Sequence, residues 1–246
     1  MTSPRRTAIA VGVLYIIGTL AGVASALIVP SIAPGTDVLT QVAAHRGAAI
    51  AGGLLVLVMG FALSTLAAVF YPVGRRFDEA LATGYVIFRG ALEGAVYLIS
   101  GLFWLVLITM SSQPSAAMAP GAAVLQTTQN VIWGQFAALP FGIGALMFYA
   151  LLYRARLVPR WILVWGFVSA GLFMAACLTQ VFGGDIDFVN ASLLLQEMVL
   201  AVWLIAKGFN AEALASVGLG EADAERPAAA PTRGGRPTAP RHPQTA

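Results

Sequence analysis

Long apolar segments separated by short polar turns dominate the pattern of this chain. Each segment has about 20 residues or more, the length that a helix needs to cross a bilayer. The segments lie at 8–29, 47–71, 80–110, 131–153, 161–182 and 191–209. The pattern therefore predicts an all-α polytopic membrane bundle of about six transmembrane helices, with one longer, uncharged outer loop from Ser111 to Asn130.

The two ends of the chain depart from this pattern. Residues 1–7 form a short polar N-terminus, residues 8–209 form the transmembrane domain, and residues 210–246 are rich in Pro, Ala and Arg. Because this last region has little to bury, we expect it to be a disordered tail. The first segment ends near an Ala-Ser-Ala sequence that resembles a signal-peptide cleavage site. It continues to Val29, so we expect it to be retained as a spanning helix.

Positive residues fall mainly on one side of the predicted spans. Apart from those in the tail, the residues on that side are Arg5, Arg6, Arg75, Arg76, Arg154, Arg156, Arg160 and Lys207. The opposite side has only Arg46. Because cytoplasmic loops carry an excess of Lys and Arg, both termini are predicted to be cytoplasmic.

Composition narrows the classes of function. Only 10% of the residues are charged, whereas a soluble domain has about 25%, which favours a bilayer as the solvent. The single cysteine and the two histidines provide no internal disulfide and no paired-cysteine or HExxH metal pattern. We therefore expect no metal, no cofactor and no catalytic residue. Nucleic acid is not an expected partner either, because the arginines lie at helix ends and in the tail.

One polar stripe runs through the third apolar segment. Its residues follow one another at helical spacing: Tyr85, Arg89, Glu93, Tyr97 and Ser100. Residues three or four apart share one helical face, and a charge that faces lipid is costly. We therefore expect the stripe to face protein or water.

The sixth segment supplies a second carboxylate, Glu197, beside Gln196. Counting from the cytoplasmic ends of the two segments places Arg89 and Glu197 at a similar depth of about 15 Å. An Arg that precedes a Glu by four residues is the weaker helical order. We therefore expect Glu197 to be the main partner of Arg89, or all three charges, including Glu93, to share one arrangement.

Small residues predict close helix packing in two of the segments. Gly18 and Gly22 form a GxxxG pair in the first segment, and Gly90 and Gly94 form another in the third. Such pairs serve packing within a chain as readily as dimerisation. The sequence therefore leaves open whether a membrane-protein partner or a second copy of the chain binds, in addition to the lipid bilayer.

Three stretches resemble a known family. The sequences "EALATGYVIFRGALEGAVYLI", "LLYRARLVPRWILVWGF" and "QEMVLAVWLIAKGF" are similar, in this order, to the bacterial membrane family described as domain of unknown function 4386. The likeness extends from Arg6 to Phe209. It implies a multi-pass protein of the bacterial cytoplasmic membrane and supplies no reaction, substrate or cofactor, so no functional residue is carried over.

The charged residues leave three interpretations open. In the first, which we favour, the chain is a non-enzymatic sensor, partner subunit or scaffold whose buried Arg89–Glu197 pair fixes the helix register. In the second, it is a small proton-coupled transporter or permease that uses Glu93 or Glu197 as a proton site. In the third, it is a membrane enzyme acting on a lipid-like substrate, although no residue is positioned as a nucleophile.

Overall fold

The computed structural model describes residues 3–29, 37–113, 115–182 and 189–220, and the regular structure in these ranges is entirely helical. This confirms the predicted all-α class. The α-helices in chain order are α1 (Pro4–Ile28), α2 (Val38–Ala44), α3 (Arg46–Gly74), α4 (Glu79–Tyr85), α5 (Gly94–Met110), α6 (Ala119–Val131), α7 (Ala138–Arg154), α8 (Arg160–Val181), α9 (Val189–Ala206) and α10 (Ala211–Ser216). A first π-helical segment, Val86–Glu93, joins α4 to α5, and a second, Ile132–Phe136, precedes α7.

The long helices pack into a closed ring. Helix α1 contacts α3 and α9, α9 contacts α8, α8 contacts α7, and α7 contacts α4 and the first π segment. The π segment and α5 pack on α3, which completes the ring. The interior of this ring is where the polar stripe of the third apolar segment lies.

Within the described ranges, four helical stretches are long and apolar enough to cross a bilayer. They are Pro4–Ile28, Arg46–Gly74, the continuous stretch Glu79–Met110, and Arg160–Thr179. Two shorter apolar helices, Ala138–Arg154 and Ala191–Ala206, lie where the fourth and sixth spans are predicted. Length and composition therefore support four spanning helices in the described part of the chain.

The first GxxxG pair lets α1 approach α3. A Cβ atom added at Gly18 would lie 2.7 Å from the side chain of Leu63, and one added at Gly22 would lie 2.6 Å from the sulfur of Met59. Both distances are too short for a real side chain. The pair is therefore used for packing within the chain.

The second GxxxG pair lets the first π segment and the start of α5 approach α3. A Cβ atom at either Gly90 or Gly94 would meet residues of α3, and at Gly94 it would overlap Ser64. The Ser64 hydroxyl also donates a hydrogen bond of 2.8 Å to the carbonyl oxygen of Gly90. This pair, too, serves a contact inside the bundle.

Helix α6 occupies most of the stretch 111–130, so the prediction of an outer loop there was wrong. Together with α2, this helix covers the neighbouring ends of α3 and α5 with a small separate core. The buried members of that core are Val38, Leu39, Val42, Ala49, Trp104, Leu107, Ile108 and Ala122. Helix α6 mixes Gln, Thr and Asn with its apolar residues, so it does not form a continuous apolar segment in the sequence.

Helix α10 lies inside the region 210–246 that was predicted to be a disordered tail. The side chain of Asn210 accepts a hydrogen bond from the backbone N–H of Glu212 at 3.0 Å, which caps the helix, and Leu214 is buried. The backbone N–H of Asn210 also donates to the carbonyl oxygen of Leu157 at 3.0 Å. Residues 210–220 therefore belong to the folded part, which the average composition of the region concealed. Residues 221–246 lie outside the described residues.

Two arginines cap helices at opposite ends of the bundle. The guanidinium of Arg5 donates to the carbonyl oxygens of residues 204–206, at the end of α9, over 2.7–3.4 Å. The guanidinium of Arg46 donates to the carbonyl oxygen of Ile108 at 2.9 Å and to Ser112 at 2.8 Å, at the end of α5. A cation is stabilising at a helix C-terminus. The Arg5 contacts also place the start of α1 and the end of α9 at the same end of the bundle.

The closest approach of α1 to α9 provides a test of this fold. A Cβ atom at Gly12 would lie 2.6 Å from the carbonyl oxygen of Ala201, a backbone atom of α9. We expect Gly12→Ala to lower the free energy of unfolding by about 1–3 kcal/mol, because the two helices must move apart. The measurement is thermal unfolding in detergent.

The matched control for this substitution is Gly171→Ala. A Cβ atom at Gly171, in α8, would meet nothing within 4 Å. We expect the control to leave stability unchanged or to raise it by up to about 1 kcal/mol, through the higher helix propensity of Ala. Equal unfolding temperatures for the two variants would contradict the close contact between α1 and α9.

Candidate functional site

The structure brings together the three charged residues that the sequence singled out. One terminal nitrogen of Arg89, Nη1, lies 3.1 Å from each carboxylate oxygen of Glu93. The other terminal nitrogen, Nη2, lies 3.4 Å from Oε1 of Glu197. The exposed fractions of the three residues are 2%, 0% and 7%. We call Arg89, Glu93 and Glu197 the charge cluster.

Of the two expected arrangements, the structure shows the shared one, in which Arg89 contacts both carboxylates, and Glu197 is not the main partner. Glu93, with two oxygens at 3.1 Å, is the closer partner of Arg89, and Glu197 is the more distant one at 3.4 Å. Arg89 and Glu93 both lie in the π segment Val86–Glu93. Residues four apart share one face of a helix, and the two side chains meet directly although Arg precedes Glu.

Aromatic rings from two other helices enclose the guanidinium. The Cζ atom of Arg89 lies 5.5 Å from the ring centre of Tyr15 in α1 and 4.8 Å from that of Phe141 in α7. Both distances fall within the range of cation–π attraction. Gly144 permits this approach, since a Cβ atom there would lie 3.0 Å from the backbone nitrogen of Arg89. The charge cluster thus connects the π segment with α1, α7 and α9.

Two sets of hydrogen bonds, linked by one aromatic stack, continue from the charge cluster along the polar stripe. The Tyr97 hydroxyl donates to Oε1 of Glu93 at 2.7 Å. The Tyr97 ring stacks on Trp133 with 5.5 Å between ring centres, and the Trp133 indole donates to the Ser100 hydroxyl at 2.7 Å. Ser100 in turn donates to the buried side-chain oxygen of Gln129 at 2.9 Å. Every residue of the stripe is buried against protein in the described part of the chain.

Tyr85 and Gln196, the two other polar residues that the sequence places near these charges, lie close by without joining the charge cluster. Tyr85 stacks on Phe148 with 4.5 Å between ring centres. Within the described ranges, its buried hydroxyl has no hydrogen-bond partner. Gln196 accepts a hydrogen bond from the Tyr149 hydroxyl at 2.9 Å and donates to the carbonyl oxygen of Ile162 at 3.1 Å. Gln196 therefore ties α9 to α7 and α8 rather than to Arg89.

Sequence reasoning missed Tyr15, Phe141 and Gln129. Each is supplied by a helix distant in the chain from the polar stripe, so no local spacing connects it to Arg89 or Ser100. A partial signal existed for Gln129, because a buried amide near an apolar segment needs a hydrogen-bonding partner. The aromatic residues gave none, since rings are common in any apolar helix.

The charge count determines what the charge cluster can do chemically. Two carboxylates share one guanidinium, so the net charge is −1 when both are ionised and zero when one of them binds a proton. A buried net charge is costly, whereas a neutral set that is fully paired is tolerated. The charge cluster can therefore fix helix packing and can also exchange a single proton. Among the described residues, no group of three or more His, Cys, Asp or Glu side chains is arranged to hold a metal ion.

Comparison with known proteins places the chain in a family. The model of the family described as domain of unknown function (DUF4386) matches residues 10–208. That range contains the charge cluster and the helices that enclose it. No curated protein and no solved structure matches the chain. The match covers most of the sequence and confirms the resemblance seen in its motifs: the chain belongs to the DUF4386 family.

Proposed function

We propose that this chain is a multi-pass integral membrane protein of the bacterial cytoplasmic membrane, with six spans. The helices α7 and α9 have 17 and 18 residues. At about 1.5 Å per residue each is about 26 Å long, close to the thickness of a bilayer core. Large apolar side chains face outward around the ring, among them Leu20, Phe61 and Leu102, each more than half exposed. Such a surface suits contact with lipid.

We propose further that both termini are cytoplasmic. The support is the charge distribution of the folded part, in which the end that carries Arg5 also carries the turn at Arg154–Arg160 and Lys207. The end that carries Arg46 has no other Lys or Arg within the described residues. An excess of Lys and Arg marks the cytoplasmic side.

For the role of the chain, we propose a non-enzymatic sensor, partner subunit or scaffold. The observation that carries this proposal is the enclosure of the charge cluster. Arg89 contacts both carboxylates and two aromatic rings, and all three charges are buried. Breaking a buried pair leaves an uncompensated charge, so the charge cluster acts as an internal lock on helix packing. Its partners in this role are the bilayer and a membrane-protein partner or second copy of the chain.

A specific observation favours a second candidate, a proton-coupled transporter or permease. The charge cluster contains one more carboxylate than cations, and that carboxylate is a candidate proton carrier. Arg89 and Glu93 also lie on a π-helical segment, a feature that occurs frequently at functional sites. Polar groups also continue beyond Glu93: Tyr97 donates a hydrogen bond to Glu93, and Ser100 donates one to Gln129. The enzyme interpretation gains no comparable support from the described residues.

Single-cysteine labelling tests the number of spans and their orientation. In a Cys177→Ala background, we expect Gln113→Cys to react with an impermeant maleimide in intact spheroplasts, and Arg154→Cys and Glu212→Cys only after the membrane is opened. Position 154 decides between six spans and four, because it becomes external if α7 does not cross. Labelling of Arg154→Cys in intact spheroplasts would contradict the six-span proposal.

Proton flux into proteoliposomes distinguishes the internal lock from the transporter. Vesicles containing a pH-sensitive dye are given a pH difference, and the flux is compared for the wild type, Glu93→Gln, Glu197→Gln and the exposed-site control Glu212→Gln. The internal lock predicts the same slow flux for all four proteins. A wild-type flux that is kept by Glu212→Gln and lost in the two interior variants would overturn that proposal in favour of the second candidate.

A further inference from the structure

A groove of about 420 Å³ opens at the end of the bundle that carries most of the positive residues. It is lined by residues 156–160 of the turn between α7 and α8, by Trp203 of α9, and by residues 207–210 that follow α9. Three of its lining residues are the exposed cations Arg156, Arg160 and Lys207. No carboxylate of the described residues lies within ion-pairing distance of these cations. We call this feature the basic groove.

The backbone of Arg156 is held in a conformation that arginine rarely adopts. Its φ angle is +53°, in the left-handed region. The N–H of Arg156 bonds to the carbonyl oxygen of Tyr153, and the N–H of Leu157 bonds to that of Leu152, which is the Schellman ending of a helix. Glycine is the usual residue at this position, because a Cβ atom makes the left-handed conformation unfavourable.

Other helix ends in the same chain use glycine where α7 uses Arg156. Gly208 after α9 and Gly218 after α10 have φ angles of +76° and +72°. Gly218 ends its helix with the same pair of backbone hydrogen bonds as Arg156. A non-glycine residue with this backbone conformation points to a role for its side chain. Arg156 is one of the residues that line the basic groove.

The walls of the basic groove are fixed to each other and to the bundle. The hydrogen bond from Asn210 N–H to the carbonyl oxygen of Leu157 joins the two wall segments at 3.0 Å. The Cζ atom of Arg160 lies 5.0 Å from the ring centre of Tyr153, a contact that orients its guanidinium. The two backbone segments that form the walls are therefore held together, and the guanidinium of Arg160 is oriented beside them.

We propose that the basic groove binds the phosphate group of an anionic phospholipid of the cytoplasmic leaflet. This proposal rests on the membrane topology proposed above. Three cations provide charge complementarity to a phosphodiester, and basic pockets between helices at this face suit lipid head groups. Trp161 and Val202, next to the groove, are each 57% exposed on the outward surface where acyl chains would lie. A lipid would thus place its head group in the groove and its chains against α8 and α9.

The test is thermal unfolding of the full chain in a zwitterionic detergent with three added probes. They are phosphatidylglycerol, phosphatidylcholine with the same acyl chains, and inorganic phosphate. Because a ligand that binds the folded state raises the unfolding temperature, we expect phosphatidylglycerol to raise it and the other two probes to leave it unchanged. An equal shift with phosphatidylcholine, or with inorganic phosphate, would overturn the assignment of an anionic lipid.

Arg156→Gly is the most informative variant, because the proposal predicts that it raises the stability of the lipid-free protein and weakens lipid binding. The unfolding temperature without added lipid should rise by about 2–4 °C, since glycine relieves the strained φ angle. The phosphatidylglycerol concentration that gives half the shift should rise about fivefold, corresponding to the loss of one cation near the head group. Lys207→Gln should weaken the lipid response to a similar extent.

Arg76→Gln is the matched control, since Arg76 is an exposed arginine at the same end of the bundle and outside the groove. It should keep the wild-type response. If Arg76→Gln weakens the response to phosphatidylglycerol as much as Arg156→Gly does, the attraction is a diffuse surface effect. If Arg156→Gly and Lys207→Gln both keep the wild-type response, the groove is not the site. The assay does not depend on orientation in a membrane, so its failure is distinct from a failure of the labelling experiment.

Discussion

Charges inside an apolar bundle constrain everything packed around them. Each of Arg89, Glu93 and Glu197 costs about 2.5–3.5 kcal/mol to place at the depth of a bilayer centre on insertion scales. Mutual contact offsets that cost only if α9 brings Glu197 to Arg89 and if α1 and α7 close around the guanidinium. The ring of helices and the close glycine contacts are the packing that brings one buried cation and its two carboxylates together.

Sequence reasoning was successful where a single helix carries the signal. Helical spacing identified the polar stripe, and a count of residues along two segments was enough to bring Arg89 and Glu197 to similar depth. It failed where geometry depends on tertiary contact. The π-helical segment that carries Arg89 and Glu93 leaves no composition signal, and the Tyr15 and Phe141 rings reach Arg89 from remote helices. Helix α6 was missed because it mixes Gln, Thr and Asn with its apolar residues and so forms no continuous apolar segment.

Arginines that look equivalent in the sequence have separate roles in the structure. A count of positive residues uses them only to orient the chain, yet Arg5 and Arg46 cap helix ends, and Arg154 pairs with Asp78 at 3.3 Å on the surface. Arg156 instead accepts a strained backbone and lines a groove. The role of Arg156 becomes visible only in its backbone angles, because nothing in the sequence shows that an arginine occupies a position where helices usually end in glycine.

The internal lock is tested most directly by a mutant cycle on the charge cluster, followed by thermal unfolding in detergent. The proteins compared are Arg89→Met, the pair Glu93→Gln with Glu197→Gln, all three changes together, and the exposed-site control Arg154→Met. We predict that Arg89→Met alone costs about 3–5 kcal/mol, because it leaves two buried carboxylates without a cation. The triple variant should recover most of that loss, while the control should change stability by less than about 1 kcal/mol. Stability losses that add to within about 0.5 kcal/mol would mean that the charges do not depend on one another, and would contradict the account.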